Sequence, residues 1–399
     1  MSRPGRTIVA LSGGVDSAVA ALLLQDAGRE VEALFMSNWE EDEDGYCTSA
    51  ADFQDARRIC AELRIPLHKV SFAQEYREHV FAHFLSELEA GRTPNPDVLC
   101  NREIKFGSGL AYARRLGAVR FATGHYARIG PGPRLLRGLD AAKDQSYFLH
   151  ALDASQLADC EFPIGHLQKS EVRDIARARG LPVADKRDST GICFIGERPF
   201  GEFISAWLPG RAGPIETQDG VVIGRHGGLE RYTLGQRSGL RVGGLRGRGE
   251  APWFVAAKDL GRNTLVVVQG ADHPALHCSG LDAAAPHWIS GTAPAPAFEC
   301  TAKVRYRQPD VACRVSLDAD GVEVRFADPV RGAAPGQYVV FYDGEECLGG
   351  AAIMALHPLE DSCTTASRPA ASLPSASKAT ITTPSMHSRN TRSGASPIR

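Results

Sequence analysis

Short apolar runs alternate with helix-spaced apolar residues through the first third of the chain. Thr7-Ile8-Val9-Ala10-Leu11 ends at glycines, as a buried parallel strand does. Residues 16–25 follow as a helix with Val19, Leu22 and Leu23 on its apolar side, and 31–36 read as a second strand. Phe53, Ala56, Cys60 and Leu63 recur at helical spacing, and Pro66 begins the passage to a strand around Val70. A longer helix carries Tyr76, Val80, Phe84 and Leu88, and Gly91 suits its C-terminal cap. A helix over 110–116 stops at Gly117 and leads to a strand over 119–123. Strand and helix in alternation predict an α/β fold, with a parallel sheet covered by helices on both faces.

From about Gly210 the pattern changes. Apolar runs become short and are punctuated by glycine and proline, at 221–223, 253–256 and 265–268. Later runs, 302–306, 312–317, 322–326 and 338–342, alternate and are spaced as barrel strands are. The expected organisation is a catalytic domain over 1–207, a small linking domain over 208–275 and a C-terminal β-barrel over 280–357. Residues 358–399 form a Ser/Thr/Pro/Ala-rich tail without apolar periodicity, expected to be disordered.

Composition narrows the class. With 399 residues, two or three domains are expected, and 43% hydrophobic and 23% charged content are those of a soluble protein. No apolar run approaches the roughly 20 residues of a membrane span. Met1-Ser2-Arg3-Pro4 offers no signal peptide, so a cytoplasmic protein with thiols rather than disulfides is expected from the ten cysteines. Net charge is −2, from 45 basic and 47 acidic residues, so a nucleic-acid surface must be local. Between Arg225 and Arg248 lie six arginines (225, 231, 237, 241, 246 and 248) against Glu230, with eight glycines from 224 to 247. That segment reads as flexible and able to follow a phosphate backbone. Arg305-Tyr306-Arg307, expected on a barrel strand, places a stacking ring between two charges, which suits RNA. His273, His277 and Cys278 are the nearest approach to a metal cluster and read as an ordinary loop.

Ser12-Gly13-Gly14-Val15-Asp16-Ser17 follows one strand and opens one helix. Two glycines let the backbone approach a polyphosphate, and the helix start presents N–H groups and the positive end of its dipole. Ser12 and Ser17 add hydroxyls, and Asp16 can hold a magnesium ion. A Walker-type Gly-Lys-[Ser/Thr] is absent, which argues against a γ-phosphate kinase loop.

S-G-G-V-D-S resembles the pyrophosphatase loop (PP-loop) of adenylating enzymes, which cleave ATP between its α and β phosphates. Within that group the chain resembles the tRNA-specific 2-thiouridylases, over about residues 7–356. The blocks that carry the resemblance are L-F-M-S-N-W at 34–39, G-R-T-P-N-P-D-V-L-C-N at 91–101 and T-G-H-Y at 123–126. They continue with K-D-Q-S-Y-F at 143–148, D-S-T-G-I-C-F-I-G at 188–196 and Y-T-L-G-Q-R at 232–237. The resemblance implies a Rossmann-like ATP domain with Ala10, Leu11, Ser12, Gly13, Gly14, Val15, Asp16 and Ser17 as the loop, and Met36 and Gly124 against the nucleotide. It implies Cys193 as persulfide carrier, Cys100 as nucleophile and a Cys100–Cys193 disulfide after turnover. It further places Asn95, Pro96 and Asp97 beside the target base, and Lys143, Asp144, Gln145, Arg305 and Tyr306 against the anticodon loop of tRNA. ATP, Mg2+ and a persulfide-donating relay protein or cysteine desulfurase are the implied cofactors and partners. No membrane partner is expected.

The residues make chemical sense of this. Oxygen at uracil C2 is a poor leaving group until adenylated, and sulfur delivery needs one cysteine to carry and a second to release it by exchange. Cys193 sits in a glycine-flanked segment open to a donor. Cys100 follows a rigid turn, at or near a helix start whose dipole lowers a thiol pKa, and Asp97 is an acid–base candidate. The other eight cysteines read as buried thiols, and Cys160, Cys300 and Cys313 show no partner. The competing readings are an amidating or argininosuccinate-forming adenylating synthetase, which needs no cysteine pair, and a non-catalytic RNA-binding protein.

Overall fold

The structure is a computed structural model that describes residues 5–39, 49–188, 200–243 and 249–359. β1 (Thr7–Ala10) sits at the centre of a five-stranded parallel sheet. Across the sheet the order is β3 (Leu67–Ser71), β2 (Val31–Ser37), β1, β4 (Arg120–Thr123) and the short strand Cys160–Glu161. The largely apolar runs of β1 and β2 follow from cover on both faces. One face packs Val9, Ala33 and Phe35 against α1 (Val15–Asp26), and the other packs Ile8, Leu34 and Phe121 against Phe106, Leu110 and Tyr147. Strand order reverses between β1 and β4, which opens a crevice at their carboxyl ends.

Tyr76, Val80, Phe84 and Leu88 are all buried, although a four-residue spacing outruns the 3.6-residue turn of an α-helix. The chain resolves the mismatch by widening. Residues Arg77–Phe81 are π-helical between Ala73–Tyr76 and Ala82–Glu89, and the wider i→i+5 turn keeps the four on one face. A second π-helical stretch, Cys100–Gly109, continues the short helix Pro96–Leu99.

Beyond Gly210, a four-stranded sheet (Trp253–Asp259, Thr264–Gln269, Gly213–Thr217, Val222–His226) encloses Ile215, Leu229, Tyr232, Val255 and Leu265. Six antiparallel strands then close a barrel: His277–Ala284, Gly321–Arg331, Val311–Leu317, Ala297–Lys303, Tyr338–Asp343 and Glu346–Pro358. A hairpin from the first half, Ala127–Gly130 and Arg134–Arg137, adds to the last barrel strand through Leu136 opposite Glu346. Among the described residues no helix is long and apolar enough to cross a membrane.

Three expectations change. Arg305-Tyr306-Arg307 lie in a turn, because the strand ends at Lys303 and Arg305 turns to carbonyls outside the ladder, shortly before Pro309. The arginine-rich segment is anchored where it is described: Leu229, Tyr232 and Leu240 are core residues, and Arg231 donates to Ser205 at 2.7 Å. Arg246, Arg248 and the tail beyond 359 lie outside the described residues. Of the trio expected in an ordinary loop, His273 lies in a turn and accepts from the Ala275 amide at 3.2 Å, whereas His277 and Cys278 open a barrel strand and the Cys278 thiol faces the Val330 carbonyl of the neighbouring strand.

Candidate active site at the carboxyl edge of the parallel sheet

Gly14 caps α1 in an extended conformation with no side-chain cap, so the first-turn amides of Val15, Asp16 and Ser17 have no partner within the helix. Gly13 has φ +78°, and a Cβ there would strike the Asp52 carbonyl. A Cβ on Gly124, at the end of β4, would fall 2.6 Å from the Ser17 nitrogen, so only glycine lets that strand end rest on the helix start. Above Gly14 the space is open, with Ser12 Oγ the nearest atom at 3.5 Å. Ser17 Oγ accepts from the Ser12 amide at 3.2 Å and donates to the Gly14 carbonyl at 3.1 Å, which braces the loop. This is a cradle shaped for a polyphosphate.

Asp16 is not an isolated carboxylate. It accepts from the Tyr126 hydroxyl at 2.8 Å and from Lys169 Nζ at 2.7 and 2.8 Å. Burial, then the Asp16 charge, push the Tyr126 phenol far up, so it remains a donor. Lys169 also lies 2.8 Å from Asp188, which pairs with Lys143 at 2.8 Å and Arg173 at 2.9 Å. Partial burial pushes the Asp188 carboxyl up, but hydrogen bonds and charge from Lys143 and Lys169 outweigh it and hold it at about 2. Lys143, Lys169 and Arg173 thus gather around the carboxylates of Asp16 and Asp188 beside the loop. Lys186 fixes the far side, donating to the Gly13 carbonyl at 3.1 Å and to Asp52 and Asp55 at 2.7 Å.

Met36, at the end of β2, lies against Gly109, where a Cβ would approach its sulfur to 2.7 Å. Two residues on, Asn38 Nδ2 is 3.9 Å from Cys100 Sγ. The nucleotide strand and the Cys100 helix therefore meet. Asn95 caps that helix through the Asp97 amide at 3.3 Å, with Pro96 in the first turn. Cys100 lies one turn further in, with its amide bonded to preceding carbonyls and only 1% of the residue exposed. It is therefore near the helix start but past the first turn, where the free amides and the dipole act most strongly. Burial raises the Asp97 carboxyl, with Lys105 opposing. The barrel holds the turn before it: Thr93 donates to the Pro335 carbonyl at 2.8 Å, and Gln337 donates to the Thr93 carbonyl at 2.9 Å.

Asp144 and Gln145 face inward. Asp144 is 4% exposed and accepts from Gly138, Ser146 and the Ser146 hydroxyl, while Gln145 brackets Tyr126 through two hydrogen bonds of 2.8 and 3.0 Å. Tyr306 donates to the Lys143 carbonyl at 3.1 Å and packs its ring 4.6 Å from Phe148. Arg305 donates to the Gly332 and Leu234 carbonyls and lines a cleft of about 670 Å³ with Thr93, Thr233, Gln236, Arg237 and Gln337. Cys193, and with it the Cys100–Cys193 pair, lies outside the described residues; Asp188 precedes it by five positions.

Sequence reasoning missed Lys169, Tyr126 and Lys186 as site residues and gave Asp188 no role. Lys169 opens a helix (Lys169–Ala178) distant in sequence from the loop, and no local pattern marks it. His125 and Tyr126 were visible within T-G-H-Y. His125 is neutral, because burial, with Lys105 adding to it, holds its pKa well below the usual value, and its Nδ1 lies 2.7 Å from the Thr123 hydroxyl.

Comparison with known proteins agrees with this layout. Residues 5–197 match the tRNA methyl transferase HUP domain, 201–269 the tRNA methyl transferase PRC-barrel domain and 278–353 the aminomethyltransferase beta-barrel domain. The tRNA-specific 2-thiouridylase MnmA of Chromohalobacter salexigens is 56% identical over 87% of this chain and 92% of that protein. Its counterpart in Sodalis glossinidius is 55% identical over 89% and 98%. Among solved structures, a 4-thiouridine synthetase–RNA complex with bound ATP aligns at a TM-score of 0.33 and 19% identity, covering 51% of this chain and 50% of that one.

Proposed function

The chain belongs to the family of tRNA-specific 2-thiouridylases, and we propose that it replaces the C2 oxygen of a tRNA wobble uridine with sulfur in an ATP-dependent reaction. The observation that carries the reading is convergence. A phosphate cradle, the Cys100 helix and the stem of the Cys193 segment all reach the carboxyl edge of one parallel sheet.

The Ser12–Ser17 loop would hold the phosphates of ATP, and Met36 would meet its adenine. Amides of the first helical turn and the Lys169 ammonium stabilise the charge that develops as pyrophosphate departs. The uridine O2 takes the adenylyl group and becomes part of a good leaving group, AMP. Mg2+, held by Asp16, would add further charge neutralisation there; Lys169 shares that carboxylate.

A relay protein or cysteine desulfurase loads Cys193 with a terminal sulfur. The Cys100 thiolate attacks the Cys193 sulfur, the S–S bond of the persulfide breaks, and hydrosulfide leaves. Hydrosulfide adds at C2 and AMP departs with the former oxygen. A Cys100–Cys193 disulfide remains, and a two-electron thiol reductant restores both. Asp97, its carboxyl raised by burial, is placed to move a proton near Cys100. Because Cys100 is buried, the Cys193 segment and the base must reach it together, with an unstacked anticodon base entering beside Asn95–Asp97. Arg305, which shares a cleft with Thr93, is assigned to the RNA together with Lys143 and Tyr306, and the inward-facing Asp144 and Gln145 hold the turn that carries Lys143.

The test is nucleoside mass spectrometry of tRNA incubated with ATP and a persulfide donor. The 2-thiouridine product is expected with the natural protein. Cys193→Ser should accept no sulfur yet still release pyrophosphate, and Cys100→Ser should accumulate a persulfide on Cys193. Undiminished 2-thiouridine from Cys193→Ser would remove Cys193 as the sulfur carrier, whereas pyrophosphate release without 2-thiouridine from the natural protein would return the reading to an adenylating synthetase that needs no cysteine. Labelled sulfur found on Cys100 and never on Cys193 would exchange their roles.

A further inference from the structure

Cys300 and Cys313 occupy directly opposed positions on the neighbouring antiparallel strands Ala297–Lys303 and Val311–Leu317, with their sulfurs 3.6 Å apart. The sequence showed no partner for either, because cross-strand register is invisible in spacing alone. Opposed residues of an antiparallel pair have α-carbons about 4.5–5.5 Å apart, inside the window of about 4.4–6.8 Å that a disulfide needs. Only the sulfurs must close, from 3.6 Å to about 2.05 Å.

We propose that Cys300 and Cys313 form a reversible dithiol–disulfide site, oxidised by hydroperoxides, at the base of the hairpin that presents Arg305 and Tyr306. The two cysteines are not equivalent. Cys300 is half-buried and Cys313 is 5% exposed, so a small oxidant meets Cys300 first. The Cys313 hydrogen bond pulls the Cys300 thiol down against its burial, while Cys313 is pushed far up. Of the two, Cys300 therefore gives up its proton more readily and Cys313 holds its own.

The Cys300 thiolate attacks the outer oxygen of a hydroperoxide. The O–O bond breaks, the alcohol or water product leaves with a proton, and Cys300 becomes a sulfenic acid, oxidised by two electrons. The Cys313 sulfur then attacks the Cys300 sulfur. The S–O bond breaks, and hydroxide leaves as water with the Cys313 proton. A thiol such as glutathione reverses the bond by exchange. Turn residues 304–310, which include Arg305 and Tyr306, lie inside the loop that this bond closes.

The reduced full-length protein is exposed to hydrogen peroxide, blocked with N-ethylmaleimide and digested with trypsin without reduction. Cleavage after Lys303, Arg305 and Arg307 separates the peptide ending at Lys303 from Gln308–Arg314, which carries Cys313. The two peptides should be recovered joined and lighter by two hydrogens than their sum. The link should revert with dithiothreitol, persist in Cys278→Ala (the other cysteine of the first peptide) and vanish in both Cys300→Ser and Cys313→Ala. Hydrogen exchange across 304–310 should slow on oxidation and recover on reduction. Separate recovery of the two cysteines, as maleimide adducts or sulfinic acids, at a peroxide dose that oxidises other cysteines overturns the proposal. So does a link that survives Cys300→Ser.

Discussion

Lys169 bridges Asp16 and Asp188 through three N–O distances of 2.7 to 2.8 Å, and so joins the phosphate loop to the stem of the Cys193 segment. Replacing it with Met keeps most of the stem but removes the charge. Pyrophosphate release should fall by on the order of 10²–10³-fold, as for loss of one preorganised charge-stabilising donor. Affinity for tRNA should stay nearly unchanged, and equal loss of both in a folded variant would contradict the division between loop and RNA surface. Asp188 carries a pH signature. Its folded pKa, about 2, is depressed below the ordinary carboxylate value near 4. Its contribution to stability is therefore present above about pH 4 and is lost as pH falls toward 2. Asp188→Asn should flatten the acid side of the stability curve between those limits, as read by urea midpoints across pH. Asp16 was legible as a loop residue, whereas Lys169 was not, because their proximity depends on α1 packing beside a helix that begins 153 positions later.

At the scale of elements, the site depends on close approaches between segment ends. Gly124→Ala would drive a methyl group into the first turn of α1. Overpacking of this kind costs about 1–3 kcal/mol, and the displaced turn should lose ATP use to a greater degree than it loses melting temperature. Calorimetry alongside pyrophosphate release tests the split; a stability loss with full activity would show that the helix start does not hold phosphate. The arginine-rich segment makes a separate prediction. Changing Arg241, Arg246 and Arg248 together to Ala should weaken tRNA binding and lower the salt slope by roughly 0.7–0.9 for each phosphate that is no longer neutralised. An unchanged slope would show that these side chains never reach the backbone. Arg231 is left out because it is tied to Ser205 and Glu230.

For the whole molecule, the first half is not self-sufficient. Tyr147 is buried and donates to the Tyr338 carbonyl at 3.0 Å, Val340 and Tyr342 join the core beneath the parallel sheet, and Leu136 pairs with a barrel strand. Residues 1–207 expressed alone should therefore expose this surface and aggregate or bind a hydrophobic dye, whereas a stable, monomeric fragment would refute the dependence. Removal of residues after Leu359 should instead move the melting temperature by no more than about 2 °C, because that composition offers little apolar surface to bury.

Periodicity and turn chemistry, which are local, were enough to place the strand–loop–helix of residues 7–26, the alternation of the first half and the β-rich second half. The long sequence blocks pointed to the family and marked Cys100 and Cys193 as the candidates for its sulfur chemistry. Tertiary structure alone decided which charges meet, that Asp144 and Gln145 point inward, that Cys100 is buried a turn inside its helix, and that Cys300 faces Cys313. Each of these depends on segments far apart in the chain coming together. Such meetings are fixed by packing and strand register, and a single sequence read residue by residue carries neither.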